Sequence, residues 1–200
     1  MFYFLVEREQ NPAEREQIGG IIEKIDELIP IIGIRKNRPV NHFYDAYRRD
    51  IRECIDAIAY DMGLPIKVKT AVYPRDEQGN NVACIDIPDR MPFYGTSELI
   101  GFPVKMTIKS GYVSYETFVT LVAHELSHIV LKLFRPQLSL DEVSVDLVPL
   151  LLGYEQIVEK GRIEIMGDGN KKIYGYLNNT LFSKAIRYIK DKYNKYKESI

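Results

Sequence analysis

The sequence predicts an α+β fold: a small antiparallel or mixed sheet preceding one long buried helix, with further helices at both ends of the chain. Three observations carry that expectation. Apolar residues recur at helical spacing over residues 12–62 and again over 180–198. Between them, over residues 66–109, apolar and polar residues alternate with the period of strands. Residues 114–136 then return to helical length and are apolar nearly all round, as a helix sunk in a core is. A chain of 200 residues suits a single domain. Its expected parts are a helical region over about residues 1–63, a sheet over about 64–110, and the central helices with the C-terminal part over about 111–200.

Taken in order, residues 2–6 read as a short strand. Residues 12–28 place Ile18, Ile21, Ile22, Ile25 and Leu28 on one helical face. Pro12 stands near the start, where a missing amide costs nothing, and the Ile29-Pro30-Ile31-Ile32-Gly33 stretch ends the helix. A second helix is expected over 41–62, with Tyr44, Tyr47, Ile51, Cys54, Ile55 and Ile58 as its stripe and Gly63 as its stop. Arg48, Arg49, Asp50, Arg52 and Glu53 mix signs and read as a solvated face. Residues 66–73 and 82–87 read as a hairpin with a long polar loop. Residues 88–101, with Pro88, Pro92, Gly95 and Gly101, form a loop or lid. The strand over 103–109 sets Val104, Met106 and Ile108 against Lys105, Thr107 and Lys109.

Ser114 is placed to cap the apolar helix and Pro136 to close it. A further helix opens over 139–146, should kink at Pro149, and is stopped by Gly161. Residues 162–166 and 171–176 flank the Gly167-Asp168-Gly169-Asn170 turn as a hairpin. That turn lacks the ligand pattern of a calcium loop. The last helix, over 180–198, buries Leu181, Phe182, Ala185, Ile186, Ile189 and Tyr193. Its basic face carries Lys184, Arg187, Lys190, Lys192, Lys195 and Lys197, and it reads as an amphipathic helix docked on the domain.

Inside the apolar helix stands His124-Glu125-Leu126-Ser127-His128, an H-E-x-x-H motif that uses two of the chain's three histidines. Residues at i and i+4 share one helix face, so both imidazoles can reach one ion while Glu125 stands beside it. Buried imidazoles need partners, and a metal satisfies both at once. Catalytic zinc normally has three protein ligands and water. Glu142 is the candidate third ligand, and Asp146, one turn on, can accept the outer N–H of a ligand histidine. Ser139-x-x-Glu142 also has the form of a capping box, which gives Glu142 an alternative role as a helix cap.

His124-Glu125-x-x-His128 followed by Glu142-x-x-x-Asp146 resembles the gluzincin metallopeptidases, notably the minimal gluzincins and the catalytic module of HtpX-like peptidases. The resemblance covers roughly residues 100–160. It implies a zincin-like fold with Zn2+ on His124, His128 and Glu142, Glu125 as general base and acid, and Asp146 behind a ligand histidine. The reaction implied is hydrolysis of a peptide or protein substrate, which pairs with an edge strand of the sheet. A donor to the developing oxyanion is expected as well, and Tyr174 and Tyr176, downstream of the motif helices, are candidates among fourteen tyrosines.

Other features narrow the class. A net charge of −1 argues against broad nucleic-acid binding. The apolar runs predict no membrane span, the start lacks the form of a signal peptide, and Cys54 and Cys84 form no C-x-x-C pair. A cytoplasmic location is the expectation. Two alternatives stand beside the peptidase: an ImmA/IrrE-like regulatory metallopeptidase acting on a repressor, and a non-catalytic domain stapled by zinc. The second needs a fourth protein ligand, for which His42 and Asp146 are the candidates.

Overall fold

The computed structural model describes residues 12–74, 83–110, 114–165 and 171–198. The strand expected over 2–6, the loop centred on Gly79 and the Gly167–Asn170 turn lie outside these residues. Helix α1 (Pro12–Ile32) continues through Pro30 instead of ending before it. It closes at Gly33, whose amide bonds to the Ile29 carbonyl at 2.8 Å. Its stripe is buried at Ile21, Ile25 and Leu28.

The single helix expected over 41–62 is two, α2 (Tyr44–Arg49) and α3 (Ile51–Asp61). Asp50, counted in the sequence as part of a solvated face, is extended at φ −159° and accepts the Arg52 amide. A side chain that caps a helix competes with helix continuation, so the chain restarts there. Cys54, Ile55 and Ile58 of α3 are buried as the stripe required, whereas Tyr44 stays exposed.

The sheet is mixed, in the order β1 (Lys67–Pro74), β3 (Pro103–Ser110), β2 (Ala83–Ile85). β1 runs parallel to β3 and β2 antiparallel to it. β1 and β2 therefore do not form the expected hairpin; β3 lies between them. Alternation fixes which face of a strand is buried but not its neighbour, and the strand with the most regular burial, at Val104, Met106 and Ile108, took the centre.

Helix α4 (Tyr115–Phe134) passes through the middle of the molecule, packed against α3, β2 and two later helices, α5 (Glu142–Leu151) and α6 (Glu155–Gly161). Ser114 caps it, accepting the Thr117 amide at 3.1 Å. By length and composition alone α4 could cross a membrane, contrary to expectation, but 67% of that stretch is buried within the protein, as a core helix is. Pro149 lies inside α5, which ends two residues later.

The helical stretch ends at Gly161, as expected; it is the last residue of α6, and a Cβ there would overlap the Glu116 carbonyl oxygen and Thr120 Oγ1. Its role is close approach of α6 to α4. Strands β4 (Ile163–Ile165) and β5 (Lys171–Ile173) pair antiparallel. Helix α7 (Asn179–Glu198) buries Phe182, Ala185 and Ile189 and packs on α1 and α5.

Candidate metal centre

His124 and His128 project from one face of α4, and Glu142 is the first residue of α5. One ligand atom from each lies within 4.8 Å of the others. Glu142 Oε2 is 3.3 Å from His124 Nε2 and 3.8 Å from His128 Nε2, yet it is buried with no hydrogen-bond partner. Unsatisfied buried carboxylate oxygens are costly, and an ion between the three atoms would satisfy this one. The donor set therefore fits a metal.

Both rings are held by their other nitrogen. His124 Nδ1 lies 2.8 Å from Asp146 Oδ1, and His128 Nδ1 lies 2.6 Å from the Ser139 carbonyl oxygen. A proton on each Nδ1 leaves each Nε2 lone pair directed at the centre. Asp146 also accepts the amides of Tyr176 and, at 3.1 Å, Leu177.

Ser139 does not cap α5. Its hydroxyl donates to the Pro136 carbonyl at 2.7 Å, within a 3-10 turn over Pro136–Leu138. The cap is Asp141, which accepts the Ser144 amide at 3.2 Å and pairs with Lys24 of α1 at 2.6 Å. With that work done by Asp141, the Glu142 carboxylate turns to the histidines instead of to the helix end.

Glu125 is not part of the three-ligand group. Its Oε2 accepts the Ile85 amide at 2.9 Å, which ties the motif helix to the outer strand β2. Burial pushes the Glu125 carboxyl up, against the opposing pull of the His124 and His128 charges. Burial lowers the His124 ring as well, but its bond to Asp146 and the neighbouring Glu142 carboxylate outweigh this and hold it at about 10. The neighbouring His124 ring draws the Glu142 carboxyl down.

The two tyrosines separate. Tyr176 is exposed, its ring stacked on His124 at 6.3 Å between centroids. Tyr174 is buried in the wall of the adjoining cavity. His42 lies 3.6 Å from Asp61 and Asp146 bonds the outer nitrogen of His124, so neither is drawn into the ligand group as a fourth member.

The cavity beside the centre has a volume of about 290 Å³ and is lined in part by His124, Glu125, Asp146, Arg162, Tyr176 and Phe182. Nothing from the loop over 88–101 lines it.

Sequence reasoning missed the Ser139 carbonyl, the Ile85 amide, Arg162 and Gly175. The first two act through the backbone, which leaves no residue signature. At Gly175 (φ +94°) a Cβ would meet Asp146 Oδ2 at 2.9 Å, so glycine lets the chain close over that carboxylate. No family model, curated protein or solved structure matches the chain.

Proposed function

We propose that this protein is a zinc-dependent metallopeptidase of the gluzincin type, acting on a peptide or protein segment. The observation that carries the reading is the convergence of His124 Nε2, His128 Nε2 and the orphaned Glu142 Oε2, with Glu125 one residue away on the same helix. Two imidazoles and one carboxylate suit zinc or ferrous iron. A buried carboxylate beside the ligands, with its affinity for protons raised, favours hydrolysis.

When bound, zinc would supply an acidified water and a Lewis acid for the substrate carbonyl. The chain supplies the rest. Glu125 takes the proton of the attacking water and returns it to the leaving amine, and the Ile85 amide holds one of its oxygens in place. Among the described residues β2 is an outer strand of the sheet, beside Glu125, so an extended substrate added to that edge would run past the base. Tyr176, over the His124 ring, is the better placed of the two tyrosines to donate to the developing oxyanion.

The test is metal content and peptide hydrolysis in wild type, Glu125→Gln and Glu142→Ala. Wild type should hold about one zinc per chain, the number a His/His/Glu site takes. Glu125→Gln should keep the zinc and lose ~10²–10⁴-fold in turnover. Glu142→Ala should lose most of the zinc. Undiminished hydrolysis by Glu125→Gln, with contaminating protease excluded, would sink the mechanism. Absence of zinc from wild type after supplementation would sink the site.

A further inference from the structure

Arg162 is a charged residue with no part in the chemistry above. It follows α6, is only 3% exposed, and donates to the Leu177 carbonyl. Its guanidinium lies 4.2 Å from the centroid of the Phe182 ring. No carboxylate of the described residues pairs with it; Asp146 acts on it only through space, and burial pushes its guanidinium down. An unpaired buried cation is costly. This one lines the cavity that opens beside His124 and Glu125, whose walls there are Leu121, Pro149, Val158 and Phe182. The volume of about 290 Å³ lies at the lower limit of ligand pockets, ~300 Å³, and suits one side chain. Among the described residues Arg162 is the only Lys or Arg lining the cavity, so a single negative charge is the match. Two carboxylates also line the cavity; Asp146 is already held by His124 and two amides, and Glu125 by the Ile85 amide.

We propose that this cavity is a specificity pocket for a carboxylate carried on an apolar stem next to the scissile bond, with Arg162 as its counter-charge. A guanidinium meets a carboxylate through parallel N–H bonds, while Leu121, Pro149, Val158 and Phe182 enclose the stem. The carboxylate belongs either to a glutamate side chain or to the end of the substrate chain. The proposal deepens, and rests on, the metallopeptidase reading.

Two measurements on the zinc-loaded protein test it. The first needs no turnover. Binding of 3-phenylpropionate and of its amide is measured by calorimetry in wild type, Arg162→Gln and Arg162→Lys. Wild type should prefer the acid at least tenfold, Arg162→Lys should keep part of the preference, and Arg162→Gln should abolish it. Equal binding of acid and amide by wild type overturns the proposal whether or not the variants fold. A preference that survives Arg162→Gln also overturns it, because the metal is then holding the carboxylate.

The second measurement is cleavage of a mixed peptide library, with free and with amidated C-termini, read by mass spectrometry. Cuts beside internal glutamate in both sets assign the pocket to the side chain, and cuts near the end of free-acid peptides alone assign it to the terminus. Cuts with no bias toward either overturn the proposal. A library left intact by wild type would count against the peptidase reading, and the acid and amide comparison would still decide the pocket.

Discussion

Each histidine at this centre is held by the nitrogen that faces away from the candidate metal. Asp146 does this for His124 and the Ser139 carbonyl does it for His128. Only the first can be altered by substitution, so Asp146→Asn should weaken zinc binding ~10–100-fold, measured by competition with a chelator. The His124 ring is held at about 10 when no metal is present. Charged, it has no lone pair to give. Zinc affinity should therefore climb with pH by as much as about tenfold per unit toward that value, with proton release on binding, measurable by calorimetry in buffers of different ionisation enthalpy. The sign for stability is the opposite. A ring raised in the folded state stabilises the metal-free protein below ~pH 6.5, and that contribution is lost as pH climbs through about 10. His124, Glu125 and His128 were legible in the sequence because their spacing is itself the geometry of a helix face. Glu142 was legible only as a choice between ligand and cap; Asp141 does the capping, and Glu142 joins the group that could hold a metal.

Among the elements, α4 and α6 cross in close approach beside the cavity. A Cβ at position 161 would overlap the Glu116 carbonyl and the Thr120 hydroxyl. Gly161→Ala should force the helices apart and cost ~1–3 kcal/mol, as overpacking does, read as a lowered urea midpoint with an unchanged slope. The helices and most strands could be located from periodicity. Their breaks and partners could not. Asp50 split a continuous apolar stripe by capping its second half, and β3 entered between two strands that sequence order made neighbours. In both cases a local hydrogen-bond choice or a tertiary pairing overrode a pattern that reports only which face is buried. Phe182 of α7 lines the cavity and packs into the core, so the C-terminal helix forms part of the wall of the pocket.

Across the whole molecule, a polar cluster centred on Asp61 ties the chain together. Asp61 accepts Tyr154 Oη at 2.8 Å and Arg38 Nη2 at 3.1 Å, and its carbonyl takes a bond from Arg35. The segment joining α1 to α2 is thereby fixed to α3 and to the start of α6. Burial raises the Asp61 carboxyl, but Arg38 and Tyr154 more than offset this and hold it below its ordinary value. A depressed carboxyl stabilises the fold above the unfolded value of ~3.9 and loses that contribution as pH falls through the folded one. Asp61→Asn should cost ~1.5–3 kcal/mol at neutral pH, and the gap from wild type should narrow below about pH 4, measured by denaturant unfolding across pH. The sequence by itself determined the α+β class, the buried helix with its H-E-x-x-H face, and the candidate ligands, because helical and strand periods are local properties of the chain. Tertiary structure alone decided the strand order, the carbonyl behind His128, the amide on Glu125 and the burial of Arg162 beside the centre. Those rest on backbone groups and on contacts between residues distant in sequence, which no spacing encodes.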